Sequence, residues 1–356
     1  MSNRKSLIIA LALIPQIILV KLLTFFPETV ETIYSNGIYI WISKAMRYAF
    51  GWVPFSVGDV IYTLIGIYAI RWLIINRRRI IKDTKQWFID IIAAVSVGYF
   101  AFHLLWAFNY YRPPLHESLK IDNEYTTEEL VELTKRFISK ANTKHVQLTE
   151  NDTVKVVMPY TKAQILKLVP EGYEELSKEF PNLAYEPRSI KRSLYSLQLT
   201  YMGFSGYLNP FTNEAQVDGL IPSFKFPTTG SHEVAHQIGY AAENEANFIG
   251  CMAAMHHPDR YFKYSAYAFA LRHCLFEVYK RDYDVYKELA ETVNKGIFKN
   301  YKEVNDFWAQ YQNPTEPLFK STYNNFLKAN NQDKGIESYS YVVALLVNYH
   351  KENPIK

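Results

Sequence analysis

Long uncharged apolar runs dominate the first third of the chain, and shorter amphipathic segments make up the rest. A helix needs about 20 mainly apolar residues to cross a bilayer. The pattern predicts three membrane-spanning helices, over about residues 7–26, 57–75 and 91–111. The chain therefore divides into a membrane domain, residues 1–111, and a second domain, residues 112–356.

Basic side chains between the predicted spans indicate the orientation. Residues 77–85 contain five Lys or Arg, whereas residues 27–56 contain two basic and two acidic side chains. Short loops rich in Lys and Arg stay in the cytoplasm. Arg4 and Lys5 at the N-terminus agree with this orientation. We therefore predict a multi-pass protein of the cytoplasmic membrane, embedded in the lipid bilayer, with an extracytoplasmic C-terminal domain.

The positive net charge of the chain comes from the membrane part. Residues 1–111 carry 11 Lys/Arg and 5 Asp/Glu, which leaves 28 and 30 for residues 112–356. A nearly neutral second domain argues against nucleic-acid binding, which needs clustered basic side chains. The two cysteines, Cys251 and Cys274, exclude a disulfide framework. We expect both to be buried free thiols, with a single bridge as the alternative.

The second domain has the pattern of a mostly helical α+β fold. Thr126 and Glu129 form a capping box that predicts a helix to about Ala141. Residues 162–168 and 173–180 predict further helix, interrupted near Pro170, and helix is predicted almost continuously after Asn247. Alternating apolar and β-branched residues predict a small sheet from four short segments, at 153–158, 194–201, 203–208 and 214–219.

The candidate chemistry lies in the sequence His232-Glu233-Val234-Ala235-His236. Residues four apart lie on one helix face, so the two imidazoles can bind one Zn²⁺ ion. Glu233 then lies beside the metal and can accept a proton from water. Pro227 and the threonines that follow it are typical of a helix start. The alternative is a pair of solvated surface histidines.

A catalytic zinc site needs a third protein ligand and an open fourth position. Gly239 can end the helix in a left-handed turn, after which a second helix returns Glu243 to the metal. Glu245 is the alternative ligand. Asn247 lies on the same face as Glu243 and is predicted to hydrogen-bond to a ligand. Tyr339 is the candidate donor to a developing oxyanion, with Tyr341 or a histidine as alternatives.

Two resemblances add to this interpretation. The His232-Glu233-x-x-His236 helix followed by Glu243-Asn244-Glu245-Ala246-Asn247 resembles the gluzincin branch of zinc metallopeptidases, in which a Glu-x-x-Ala-Asn/Asp element supplies the third ligand. This resemblance favours Glu243 over Glu245 and implies a zincin-like fold. Gluzincins commonly place that glutamate further along the chain, and Asn247 stands where aspartate is usual.

A second resemblance lies in the three apolar segments and in three short motifs, Tyr110-Tyr111-Arg112-Pro113-Pro114, Asn209-Pro210-Phe211-Thr212 and Phe326-Leu327-Lys328-Ala329-Asn330. With these features, nearly the whole chain is similar to an uncharacterised bacterial membrane family, domain of unknown function 3810. This family implies no substrate.

The sequence predicts a membrane-anchored zinc metalloendopeptidase that hydrolyses a peptide or protein substrate. His232, His236 and Glu243 are the predicted ligands of Zn²⁺, and Glu233 is the general acid and base. The competing hypothesis is a non-catalytic receptor or assembly factor of the cell envelope, in which zinc only stabilises the fold. A purely structural site usually has four protein ligands and does not need Glu233.

Overall fold

The computed structural model describes residues 3–332, 335 and 341–356. Most of these residues are helical, and three short strands form one sheet. The N-terminal third contains α1 (Asn3–Leu11), α2 (Leu13–Leu23), α3 (Pro27–Thr29), a π-helix (Val30–Ile38), α4 (Tyr39–Phe50), α5 (Val57–Asn76), α6 (Arg79–Lys82), α7 (Thr84–Leu105) and a 3-10 helix (Ala107–Tyr111).

The remaining elements follow in chain order. They are α8 (Leu115–Leu119), α9 (Thr127–Thr149), α10 (Lys162–Ser177), a 3-10 helix (Pro181–Leu183), β1 (Ile190–Arg192), α11 (Ser196–Met202), β2 (Gly206–Asn209), β3 (Glu214–Val217), a 3-10 helix (Ser223–Lys225), α12 (Phe226–Gln237), α13 (Glu243–His256), α14 (Arg260–Arg281), α15 (Tyr283–Glu291), α16 (Lys295–Tyr311), α17 (Glu316–Ala329) and α18 (Val342–Glu352).

Three helical stretches are long and apolar enough to cross a membrane. They are Asn3–Leu23, formed by α1 and α2, Val57–Asn76 and Thr84–Leu105. The number of predicted spans is confirmed, but the third begins seven residues earlier than predicted and ends at Leu105 rather than at residue 111. The division into two domains at residue 111 stays a prediction.

The aromatic residues directly after the third apolar helix pack inside the protein. Trp106, Tyr110 and Tyr111 are buried. The Trp106 indole donates to the backbone oxygen of His236 at 3.1 Å. These side chains are buried because the C-terminal part packs directly onto the end of α7.

The sheet has the order β1-β3-β2, with β3 parallel to β1 and antiparallel to β2. The two strands predicted nearest the histidine motif are confirmed with shorter bounds, as β2 and β3. The strand predicted at 194–201 is wrong, because residues 196–202 form α11. The sequence did not predict β1, because this strand has only three residues and two of them, Lys191 and Arg192, are charged.

Two further predictions need correction. Residues 153–158 do not form a strand, because the backbone N–H and carbonyl of Val156 both bond to the Asn300 side chain at 3.0 Å. The predicted break near Pro170 is absent, and α10 continues through this proline to Ser177. Tertiary packing on both sides of α10 stabilises the helix against the lost backbone hydrogen bond. The capping box at Thr126 is confirmed, although its helix extends to Thr149.

A fully buried carboxylate joins the second apolar helix to the sheet. Glu214 accepts hydrogen bonds from the backbone nitrogens of Val57 at 3.1 Å and Gly58 at 2.6 Å. Lys191 forms an ion pair with it at 2.5 Å. The first N–H groups of a helix have no partner within that helix. Glu214 therefore caps α5 from β3 and fixes the helix to the C-terminal part.

Candidate metal centre

The two helices of the site, α12 and α13, are joined by a tight turn. Pro227 occupies the first turn of α12, where its missing N–H costs nothing. Gly239 ends the helix with a φ of 102°, a conformation that only glycine adopts without strain. Its N–H bonds to the backbone oxygen of His236 at 3.0 Å. This turn reverses the chain so that α13 begins at Glu243, as predicted.

The two helices cross in backbone contact. A Cβ atom added to Gly250 would lie 2.6 Å from the backbone nitrogen of His232 and 2.8 Å from its Cα. On the other side of α12, the Tyr173 hydroxyl donates to the backbone oxygen of Ser231 at 2.5 Å. The glycine in α13 thus sets how closely the helices approach, and Tyr173 holds α12 in place.

This crossing brings together the three predicted ligands, with their donor atoms all within 4.8 Å of one another. The Nε2 atoms of His232 and His236 are 3.1 Å apart. Glu243 Oε2 lies 3.3 Å from His232 Nε2 and 3.5 Å from His236 Nε2. All three side chains are at most 15% exposed. The structure therefore forms a buried cluster from two helix segments.

Further contacts orient these side chains. His236 Nδ1 lies 2.7 Å from the backbone oxygen of Tyr240, which favours a proton on Nδ1 and leaves the Nε2 lone pair facing the cluster. The Tyr323 hydroxyl on α17 donates to Glu243 Oε1 at 2.5 Å and leaves Oε2 facing the histidines. We did not predict Tyr323 from the sequence, because one tyrosine among 28 carries no local signal.

The electrostatics of the cluster reflect burial and mutual pairing. Burial lowers the pKa of His232, and so does the neighbouring His236. Burial by itself would also lower the pKa of His236, but the Glu243 carboxylate raises it to about 9. Burial would raise the pKa of Glu243, but His236 and His232 hold it well below its ordinary value. Glu243 therefore carries the negative charge of the site.

Glu233 lies beside the cluster and not in it. Burial raises its pKa to about 8. A Cβ atom on Gly206 of β2 would lie 2.5 Å from Glu233 Oε1, so the glycine leaves the space that this carboxylate needs. Glu233 Oε2 is buried without a hydrogen-bond partner among the described residues. An unpartnered carboxylate oxygen at this position is suited to accept a proton.

The donor set fits a zinc ion by distance and by chemistry. Zinc bonds to imidazole nitrogen and carboxylate oxygen are about 2.0–2.2 Å long in tetrahedral sites, which places neighbouring ligand atoms roughly 3.3 Å apart. The three separations in the cluster, 3.1, 3.3 and 3.5 Å, lie close to that value. Two imidazoles and one carboxylate also match the ligand chemistry of catalytic zinc. His232, His236 and Glu243 could therefore hold the ion.

The other sequence candidates lie in different places. Glu245 accepts a hydrogen bond from the backbone nitrogen of Leu115 at 2.6 Å and is not part of the cluster. Asn247 lines the cavity that also contains the three predicted ligands, and its hydrogen bond to a ligand stays a prediction. Tyr339 lies outside the described residues, and Tyr341 is exposed. Cys251 and Cys274 are buried free thiols, as expected.

The cluster opens into a cavity of about 1060 Å³. Its walls come from the apolar helices as well as from the C-terminal part, and they are mainly apolar with many aromatic side chains. The aromatic side chains include Tyr62 on α5, Phe102 on α7, Trp106 directly after α7, Tyr207 on β2, Phe211 directly after β2, and Tyr323 and Phe326 on α17. A peptide-sized molecule could reach the cluster through this space.

Comparisons with known proteins give one match. No curated protein and no solved structure matches the chain. A family described as Protein of unknown function (DUF3810) matches residues 34–347, which include the last two apolar helices, the sheet and the cluster of His232, His236 and Glu243. The chain belongs to this family.

Proposed function

We propose that the protein is a membrane-anchored, zinc-dependent metallopeptidase. The observation that carries this proposal is the convergence of His232, His236 and Glu243 next to a buried carboxylate, Glu233, that faces the same cavity. A structural site has no use for such a carboxylate. Its presence, together with three rather than four ligands among the described residues, favours an enzyme over the alternative of a zinc-stabilised receptor or assembly factor.

The residues divide the chemistry between them. Zinc bound by His232, His236 and Glu243 would supply a Lewis acid for a peptide carbonyl and for a water molecule, whose pKa it would lower. Glu233 accepts the proton from that water and returns it to the leaving amine. Tyr240 and Tyr323 hold His236 and Glu243 in the orientation that leaves their metal-facing atoms available.

The position of the site relative to the apolar helices supports activity at the outer face of the membrane. The start of α5 is bonded to Glu214, and Trp106 at the end of α7 is bonded to the metal-binding helix α12. The opposite ends of α5 and α7 meet at the basic residues 77–85. With this loop in the cytoplasm, the cavity lies outside, close to the bilayer surface.

Replacing Glu233 by Gln tests the proposal. The full chain, purified in detergent and loaded with zinc, is incubated with a fluorogenic peptide library. The Glu233→Gln variant should keep its bound zinc, measured by elemental mass spectrometry, and lose about 10²- to 10⁴-fold in hydrolysis rate, which is the usual contribution of a general acid or base. Hydrolysis at the wild-type rate by this variant would overturn the assigned role.

The Glu243→Gln variant is the matched comparison, because it makes the same chemical change ten residues along the chain. It should lose zinc as well as hydrolysis, since an amide is a much weaker zinc ligand than a carboxylate. Equal zinc content in the wild type and in this variant would place the third ligand elsewhere, with Glu245 the first residue to test.

A further inference from the structure

One cation in the cavity has no anionic partner in the described part of the chain. Lys225 lies at the end of the 3-10 helix directly before α12, and its Nζ donates to the Ser205 hydroxyl at 3.0 Å. Among the described residues, no carboxylate oxygen lies within 4.0 Å of this Nζ. Lys320, which lines the same cavity, differs because it forms an ion pair with Glu316 at 2.6 Å. Lys225 therefore keeps its charge available to a ligand.

A second cation lies near it. Arg272 on α14 lines the same cavity and donates to Asn305, a neutral side chain, at 2.9 Å. Ser265, two turns earlier on α14, donates to the backbone oxygen of Phe224 at 2.6 Å and so holds α14 against the segment that carries Lys225. Burial and the neighbouring Arg272 together lower the pKa of Lys225 to about 8, although Asp218 and Glu233 act to raise it. The two positive charges thus face a common space.

The position of Lys225 immediately before α12 sets its distance from the metal-binding cluster. Lys225 precedes His232 by seven residues, so the two lie on the same face of the helix, roughly 10 Å apart along its axis. An extended peptide spans at most about 3.3–3.6 Å per residue. A peptide whose scissile carbonyl lies at the cluster would therefore place a group about two or three residues further along beside Lys225.

We propose that Lys225 and Arg272 form an anion subsite for the C-terminal carboxylate of a peptide substrate, so that the enzyme releases fragments of about two or three residues from free C-termini. This proposal rests on the proposed peptidase function. It specifies that the cleaved bond lies near the C-terminus of the substrate and not in the interior of the chain. The aromatic residues that line the cavity contact the apolar side chains of the substrate, and the two cations bind its C-terminal carboxylate.

Pairs of synthetic peptides test this proposal, each pair identical except for a C-terminal carboxylate or a C-terminal amide. The wild type should cleave the carboxylate forms with a kcat/KM about tenfold or more above that for the amides, which is the effect of one charged hydrogen bond. Mass spectrometry should identify short C-terminal fragments as products.

The Lys225→Met variant should lose the preference for a C-terminal carboxylate through a higher KM. Lys302→Met removes an exposed lysine on α16 that pairs with Asp306, and it should leave the preference unchanged.

Binding separates this proposal from the peptidase function. Fluorescence anisotropy with the Glu233→Gln variant compares labelled carboxylate and amide peptides without turnover. Tighter binding of the carboxylate form, lost when Lys225→Met is added, supports the subsite. Failure of the wild type to hydrolyse either peptide would overturn only the peptidase function. Equal binding and equal cleavage of both forms would overturn the subsite alone, and so would a preference that follows internal Asp or Glu residues.

Discussion

The apolar helices and the helices of the metal centre distribute polarity in opposite ways. On α5 the exposed side chains are mostly apolar, with Leu64 60% and Ile67 58% exposed. On α12 and α13 the buried side chains include ionisable ones, with Glu233 and Glu243 each 3% exposed. Neither arrangement would be stable in isolation in water, because exposed apolar surface and buried charge both cost free energy.

In each region, a partner outside the polypeptide would offset these costs. Lipid covers the apolar surface of the first region. In the second, the imidazoles and the Glu243 carboxylate offset one another in part, and a divalent cation would complete the balance. The contacts of Glu214 and Trp106 connect the two regions, so a defect at either connection should affect both. Three further predictions test this picture.

The largest effect is expected at Glu214. Glu214→Gln removes the charge that pairs with buried Lys191 and leaves that ammonium uncompensated, which should lower the free energy of unfolding by about 3–5 kcal/mol. Thermal unfolding in detergent, followed by tryptophan fluorescence, measures the loss. The double variant Glu214→Gln with Lys191→Met should recover part of it, because no buried charge then remains. A double variant less stable than the single variant would contradict the pairing argument.

A glycine in each region gives a matched pair of substitutions. Gly250→Ala introduces a Cβ atom into the backbone of His232 and should destabilise the protein by about 1–3 kcal/mol, despite the better helix propensity of alanine. Gly66→Ala on α5 places a Cβ atom where no atom lies within 4 Å, and it should be neutral or slightly stabilising. Zinc content should fall only for Gly250→Ala. Equal melting temperatures for the two variants would show that the α12–α13 contact tolerates expansion.

The smallest effect concerns pH and a histidine far from the metal centre. Burial lowers the pKa of His350 from 6.5 to about 4. The unfolded chain therefore binds a proton at this residue before the folded chain does, so stability is full above pH 6.5 and falls as the pH drops towards 4. Between pH 7 and pH 5.5 the loss should be roughly 1 kcal/mol. His350→Gln should reduce the pH dependence of the free energy of unfolding by that amount, measured by thermal unfolding at both pH values. An unchanged pH dependence would refute the assignment.

The sequence predicted features that depend on neighbours along the chain. The apolar runs, the histidines four residues apart and the turn at Gly239 each follow from one local periodicity or one backbone preference. Predictions of strands failed where local pattern and long-range packing disagree. Residues 153–158 have the composition of a strand, but their backbone bonds to the Asn300 side chain, 144 residues away.

Local sequence specifies that three helices suit a bilayer and that His232, Glu233 and His236 share one helix, because helix geometry depends on residues at most a few positions apart. Long-range packing, by contrast, specifies that Tyr323 holds Glu243, across 80 residues, and that Trp106 holds the carbonyl of His236, across 130. It also brings Lys225 to the cavity wall with no ion pair to any described residue. Such contacts arise when distant segments bury apolar surface together, and no local pattern records which side chains then meet.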